Sequence, residues 1–476
     1  MLTLRQAPPG RCLPQRGAWQ SPATVPRHWL AAAFAVAAVF AALLATFSAN
    51  HLHQIWGLSA AIAYLAAGAA VLVWRSRGAD LAVLLSTCGA LVAPLLLMAV
   101  DRLRQPEVHV VTRSASLLLR SGSPYPAVAV TAHVHNPNLF NPYLPVMTVF
   151  GLPRALLGMA PVTDPRIWLG AGFAVTFYAA LLVARARNPW RWTLLVASSP
   201  VIALSLTVGG TDVPVLALLC LGLALLWRHP RPVLAGLVLG VAAAMKATAW
   251  PALAVTLVLV WVARGRRAAG GFAAVALGAA AALIGPVAAL APRSLMENTI
   301  AFPLGLAGTT SAAVSPLPGH LLAGTGQAGH LLAVMLLALV LLGLAAWLWL
   351  RPPRSVPAAA WWLITGLTLM FLAAPATRFG YFMYPAGLLA WLAACSLPWR
   401  PAWPAGRRLG AGGPGGAFPA GHGRRVLAVL ALASGAGGMG READQERTAD
   451  LPATTATPQD ARPGDAQQAE DRQDMA

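Results

Sequence analysis

Lys246 is the only lysine among the 34 basic residues of this 476-residue chain, and it lies inside an apolar run from Val233 to Val255. A compact, strongly hydrated ammonium is costly there unless it has a task. The task that suits a point charge at that depth is gripping a phosphate. The carboxylates are placed as unevenly. Of the 15 acidic residues, nine lie between Glu442 and Asp474, which leaves Asp80, Asp101, Glu107, Asp164, Asp212 and Glu297 for the remainder. Carboxylates this scarce in apolar surroundings mark positions of candidate function.

The elements that must position these groups are membrane helices. With 58% hydrophobic and 10% charged residues, the chain reads as an all-α polytopic integral membrane protein. A formal net charge of +19 raises nucleic acid as a partner. The arginines, however, sit in short clusters between apolar segments, as in the cytoplasmic loops of membrane proteins, and nucleic acid is set aside. Cys12, Cys88, Cys220 and Cys395 share no spacing and imply neither a disulfide framework nor a metal site.

Twelve segments approach the roughly 20 apolar residues needed to cross a bilayer: 29–48, 55–74, 79–100, 167–184, 192–208, 213–227, 233–248, 249–263, 270–290, 330–350, 357–374 and 381–397. The first follows Arg16 and Arg27 but has no small-residue cleavage site behind it, so it reads as an uncleaved helix. Arginines recur on alternate loops at Arg75 and Arg77, Arg185–Arg191, Arg228 and Arg231, Arg264–Arg267, Arg351 and Arg354, and Arg400–Arg408. With Arg5 and Arg11 at the start, this pattern puts both termini in the cytoplasm and Asp101, Glu107, Asp164, Asp212 and Glu297 outside. The stretch 143–161 is apolar too, but Pro145, Pro153 and Arg154 speak against a plain span, and a crossing there would invert every later loop. It is expected to be re-entrant or interfacial, which keeps the span count at 12 to 13. Segments 233–248 and 249–263 are expected to form a hairpin with its tip near the outer interface.

Two outer loops are long, 101–142 and 291–329. In the first, Val108, Val111, Ala115 and Leu118 share a helical face while Arg113 and Arg120 lie on another, the pattern of an amphipathic helix along the membrane surface. His109, His133 and His135 point only weakly to a metal. The organisation is therefore a cytoplasmic segment 1–28, two extra helices within 29–78, a membrane domain 79–397, and a Gly/Pro-rich then acidic tail 398–476 expected to be disordered and cytoplasmic.

An acidic residue soon after an early membrane helix, an amphipathic helix ending in G-S-P-Y at 122–125, and F-N-P-Y-L-P at 140–145 resemble the start of polyprenyl-phosphate-sugar-dependent glycosyltransferases of the GT-C class. S-S-P at 198–200, G-G-T-D at 209–212, A-G-L-V-L-G-V-A-A-A-M-K-A-T-A-W-P at 235–251 and A-T-R-F-G-Y-F-M-Y-P at 376–385 follow in order. The whole resembles glycosyltransferase family 87, bacterial mannosyltransferase-like proteins, over roughly residues 79–397.

The resemblance implies transfer of a hexose, mannose first, from a polyprenyl phosphate to a glycolipid or glycan of the cell envelope at the outer face of the cytoplasmic membrane. It implies a carboxylate base. Glu107 stands where the family has aspartate and is the first choice, with Asp101 and Asp212 as alternatives; Asp212 replaces a family glutamine or asparagine and would otherwise orient sugar or acceptor. Lys246 would hold the donor phosphate, helped by Arg378 and by Arg113 or Arg120. Tyr381 and Tyr143 would shape the sugar pocket. No cofactor is called for, and metal dependence stays open. Read without the resemblance, Lys246 is also an interfacial anchor, Arg378 a headgroup partner and Asp101 and Asp164 helix-end markers. A transporter or flippase of lipid-linked sugars fits the composition as well, although paired internal repeats are not evident; an inactive membrane scaffold is the third reading.

Overall fold

A computed structural model describes residues 26–74, 76–131, 136–309, 311 and 313–396. Expectations placed on Arg5, Arg11, Arg16, Cys12, Arg75, His133, His135, Arg400–Arg408 and the tail 398–476 fall outside the described residues. The helices that matter below are α1 (Arg27–Phe47), α2 (His51–Val73), α3 (Gly78–Val100), α4 (Pro106–Ser121), α5 (Pro165–Val183), α6 (Pro189–Ala197), α7 (Pro200–Val208), α8 (Val213–Trp227), α9 (Pro232–Ala243), α10 (Trp250–Arg264), α11 (Arg266–Leu290), α12 (Gln327–Leu350), α13 (Val356–Ala373) and α14 (Met383–Ser396). Prolines in the first turn of α4 to α10 start most of them, where a missing N–H costs nothing. The side chains of Asn50, Asp164 and Ser355 cap α2, α5 and α13.

Among the described residues, nine helices are long and apolar enough to cross a membrane, or ten with α6 and α7 taken as one bent span. With the shorter α8 and α9 these coincide with the twelve expected segments. The chain is a multi-pass membrane protein. Its exterior is correspondingly apolar: α12 buries little beyond Gly329 and Ala333 and turns Leu339, Leu342 and Trp349 outward. The core is built on α8, almost wholly buried and packed between α5 and α9. A second apolar cluster joins α1, α2 and α3 to Ala203 of α7.

Two departures from regular helix are matched by a donor. The π-turn Cys88–Val92 inside α3 loosens the carbonyls of Gly89 and Ala90, which accept from Ser59 Oγ at 2.6 Å and Trp56 Nε1 at 2.8 Å. Pro200 lacks an N–H, and α6 and α7 meet at 65°. The Ser198 carbonyl at that corner accepts from Tyr64 Oη at 2.6 Å, so the S-S-P motif is a satisfied kink. Gly236 and Gly240 let α9 approach the α11 backbone; a Cβ on Gly236 would lie 2.6 Å from the Phe272 carbonyl.

The stretch 143–161 forms a 3-10 segment, Pro145–Gly151, running into the six-residue helix Leu152–Leu157, too short to cross. Arg154 within it is buried and paired with Asp164 at 3.4 Å. Burial alone would raise the Asp164 carboxyl, but the hydrogen bonds and charge of Arg166 outweigh it and hold the group below the usual carboxylate range. Asp164 is therefore far more than a helix-end marker.

The loops bearing the scarce carboxylates gather at one face. Gln105 N–H donates to the Val208 carbonyl, Thr131 Oγ1 to Glu297 Oε1 at 2.9 Å, and Asn141 N–H to Asn298 Oδ1 at 2.7 Å. Asp80 stays at the other face, paired with Arg191 at 2.8 Å.

Candidate active site

Lys246 follows α9 in extended conformation, at the turn before the 3-10 segment Ala247–Ala249 and α10, which is the expected hairpin tip. Its backbone surroundings are fixed by the strap after Tyr143: Leu144 N–H donates to the Met245 carbonyl and Val146 N–H to the Ala244 carbonyl. The ammonium meets Asp212 Oδ1 at 2.6 Å. Tyr384 Oη donates to the same oxygen at 2.7 Å and also meets Thr248 Oγ1 at 2.9 Å. The rings of Tyr143 and Tyr381 stand 5.3 and 5.1 Å from Nζ, so the residues expected to shape a sugar pocket flank the cation. An ammonium has three donors, and Asp212 takes one.

Tyr143 is held by both loop motifs. Asn141 accepts from the Tyr143 N–H and donates to the Pro124 carbonyl, while Tyr125 Oη donates to the Tyr143 carbonyl at 2.9 Å. Burial pushes the Tyr143 phenol well above its ordinary value, so it stays protonated.

Glu107 lies in the first turn of α4, whose Val108, Val111 and Ala115 are buried as the pattern demanded. Its Oε1 is paired with Arg378 Nη1. Its Oε2 is buried and has no hydrogen-bond partner among the described residues. Arg378 opens the 3-10 turn Phe379–Phe382 that also carries Tyr381. That turn is tied to the second long loop: Ser315 N–H donates to the Thr377 carbonyl, Thr377 N–H to the Ala313 carbonyl, and Phe379 N–H to Ser315 Oγ at 3.0 Å. From α2, His53 reaches Gln105 at 3.4 Å.

The two ion pairs are linked through the backbone. Val108, next to Glu107, packs on Gly209, which holds φ at +134° three residues before Asp212. A Cβ there would be 2.6 Å from Val108 Cγ2 as well as strained. Gly209→Ala is expected to destabilise the protein by about 1–3 kcal/mol and to displace the Asp212 loop. Thermal unfolding in detergent checks the first effect, and an unchanged melting temperature would contradict this account.

The remaining expected groups stand apart. Arg113 donates to the carbonyls of Asn138 and Leu139 at 2.9 and 2.8 Å, bracing the first long loop, and burial lowers its affinity for the proton. Arg120 is exposed in the last turn of α4, and Asp101 is exposed where α3 ends. Among the described residues no hydrogen bond or ion pair joins either to the two central pairs. No group of three His, Cys, Asp or Glu that could hold a metal is found among the described residues.

The motifs at 198–200, 209–212 and 235–251 lie within a stretch matched by a family model, while those at 122–125 and 376–385 lie outside it. Residues 141–375 match glycosyltransferase family 87. The resemblance read from the motifs is thereby borne out, and the match indicates a membrane glycosyltransferase. No curated protein and no solved structure matches the chain. The family 87 span contains Tyr143, Asp212 and Lys246, whereas Glu107 and Arg378 lie on its two flanks and meet each other in space. Tyr384, Thr248 and Arg166 were not singled out from the sequence. Tyr384 lies within the motif at 376–385 and Thr248 two residues after Lys246, so motif position was the available signal; Arg166 offered none.

Proposed function

We propose that this membrane glycosyltransferase moves a hexose, mannose first, from a polyprenyl phosphate to a hydroxyl of a cell-envelope glycolipid or glycan at the outer face of the cytoplasmic membrane. The observation that carries the reading is the buried, unpartnered Oε2 of Glu107 in a carboxylate whose other oxygen is fixed by Arg378. It is a proton acceptor held ready, and the neighbouring Val108 packs on Gly209, at the start of the loop that carries Asp212, the partner of Lys246. Asp212 Oδ1 by contrast already receives both Lys246 and Tyr384, so it is better suited to hold the lysine than to take a proton.

In the proposed reaction the acceptor hydroxyl oxygen bonds to the anomeric carbon as the bond from that carbon to the phosphate oxygen breaks. The hydroxyl proton passes to Glu107 Oε2, and the polyprenyl phosphate leaves with the bonding electron pair. Lys246 and Arg378 stabilise the charge growing on that phosphate. Lys246 acts where water is scarce, so its effect is larger than in bulk solvent. In this reading the polyprenyl chain lies along the apolar exterior of the helices.

Membranes containing the protein, given radiolabelled polyprenyl-phosphate mannose and other polyprenyl-phosphate hexoses, are expected to pass label to an endogenous acceptor. Cysteine at the exposed Ser121 is expected to react with an impermeant reagent in intact cells, and cysteine at the exposed Arg187 only after lysis. Label that crosses the bilayer without forming a glycosidic bond would make the protein a transporter instead.

A further inference from the structure

Arg166 lies outside the two ion pairs, yet all three of its guanidinium nitrogens are engaged, and the residue is fully buried. Nε and Nη2 meet the two oxygens of Asp164 at 2.9 Å each, a bidentate pair that fixes the plane of the fork. Nη1 then donates to two main-chain carbonyls, Leu103 at 2.9 Å and Thr207 at 2.8 Å. These carbonyls belong to the segments that lead into Glu107 and into Asp212. The Gln105 N–H bond to the Val208 carbonyl joins the same segments beside them. Asp164 also accepts from Arg154, whose short element continues the strap that fixes the backbone before Lys246.

We infer that Arg166, oriented by Asp164, is a positioning residue that sets the distance between Glu107 and the Asp212–Lys246 pair. The inference rests on the reading of Glu107 as base. Because the bidentate pair fixes the fork, the two Nη1 N–H directions are fixed, and with them the spacing of the carbonyls they hold. A lysine would keep the charge beside Asp164 but lose that fork. Burial keeps water from replacing the bond to Thr207.

Hydrogen exchange on the full-length protein in detergent is the primary test. Arg166→Lys is expected to speed exchange at Gln105–Val108 and Gly209–Asp212 while leaving α8 and α9 protected; unchanged exchange in both segments overturns the inference, whatever the donor. Should Arg166→Lys fold poorly, the triple variant Arg154→Gln, Asp164→Asn and Arg166→Gln removes the three buried charges together and is expected to give the same local pattern. With polyprenyl-phosphate mannose, Arg166→Lys is expected to lower kcat about 100-fold with donor KM changed less than about threefold. In a Glu107→Gln background the same change is expected to cost less than about threefold. Equal losses in both backgrounds, with a parallel fall in melting temperature, would make Arg166 a purely structural residue and overturn the inference. Wild-type transfer by Glu107→Gln would instead sink the base assignment, with the exchange result still deciding the positioning role.

Discussion

Glu107→Gln is expected to lower kcat for sugar transfer by about 10²–10⁴-fold, the range of a general base. The amide oxygen can still accept from Arg378, so the turn carrying Tyr381 keeps its anchor and donor KM should change little. What is lost is the proton acceptor at the Oε2 position, buried and unpartnered in the carboxylate. Initial rates against donor concentration in purified protein check this, with membrane insertion followed by fluorescence of a fused reporter. Transfer at the normal rate would move the role to Asp212 or Asp101, of which only Asp212 adjoins Lys246.

Lys246→Ala combines two effects that can be separated. Loss of the cation is expected to reduce transfer by about 10²–10³-fold, the cost of removing one preorganised donor from developing charge. It also leaves Asp212, 7% exposed, without its ion partner, which is expected to cost about 3–5 kcal/mol of stability. Adding Asp212→Asn removes the stranded charge, so the double variant should regain much of the lost melting temperature while remaining inactive. Recovery of transfer in that double variant would show that Lys246 serves the fold and not the donor. Lys246→Arg should fall between, because the charge survives but a planar fork replaces a compact ammonium between Tyr143 and Tyr381.

Much of this molecule was written in local pattern. Apolar segments of crossing length, alternating arginine loops and the 3.6-residue pattern of α4 depend only on residues near one another in the chain, and the helices form where those patterns lie. The scarcity of charge did the rest, since a lone lysine or carboxylate in an apolar run is conspicuous without any structure. Composition and motif order therefore determined the fold class, the resemblance to family 87 and the short list containing Glu107, Asp212, Lys246, Arg378, Tyr143 and Tyr381.

Which of these groups meet was a different matter. Glu107 and Arg378 are separated by most of the membrane domain, and Lys246 and Asp212 by the two helices α8 and α9, so neither pairing has a period or spacing to reveal it. Arg113 and Arg378 look alike in sequence, yet one braces its own loop and the other meets Glu107. Arg166 follows a proline at the start of an ordinary helix and was passed over, because its two carbonyl partners carry no side-chain signature. The sequence by itself determined a multi-pass membrane protein, its match to glycosyltransferase family 87 over residues 141–375, and its candidate charges. The tertiary structure alone decided the pairings, since charges in a low-dielectric interior must find partners and long-range packing chooses which.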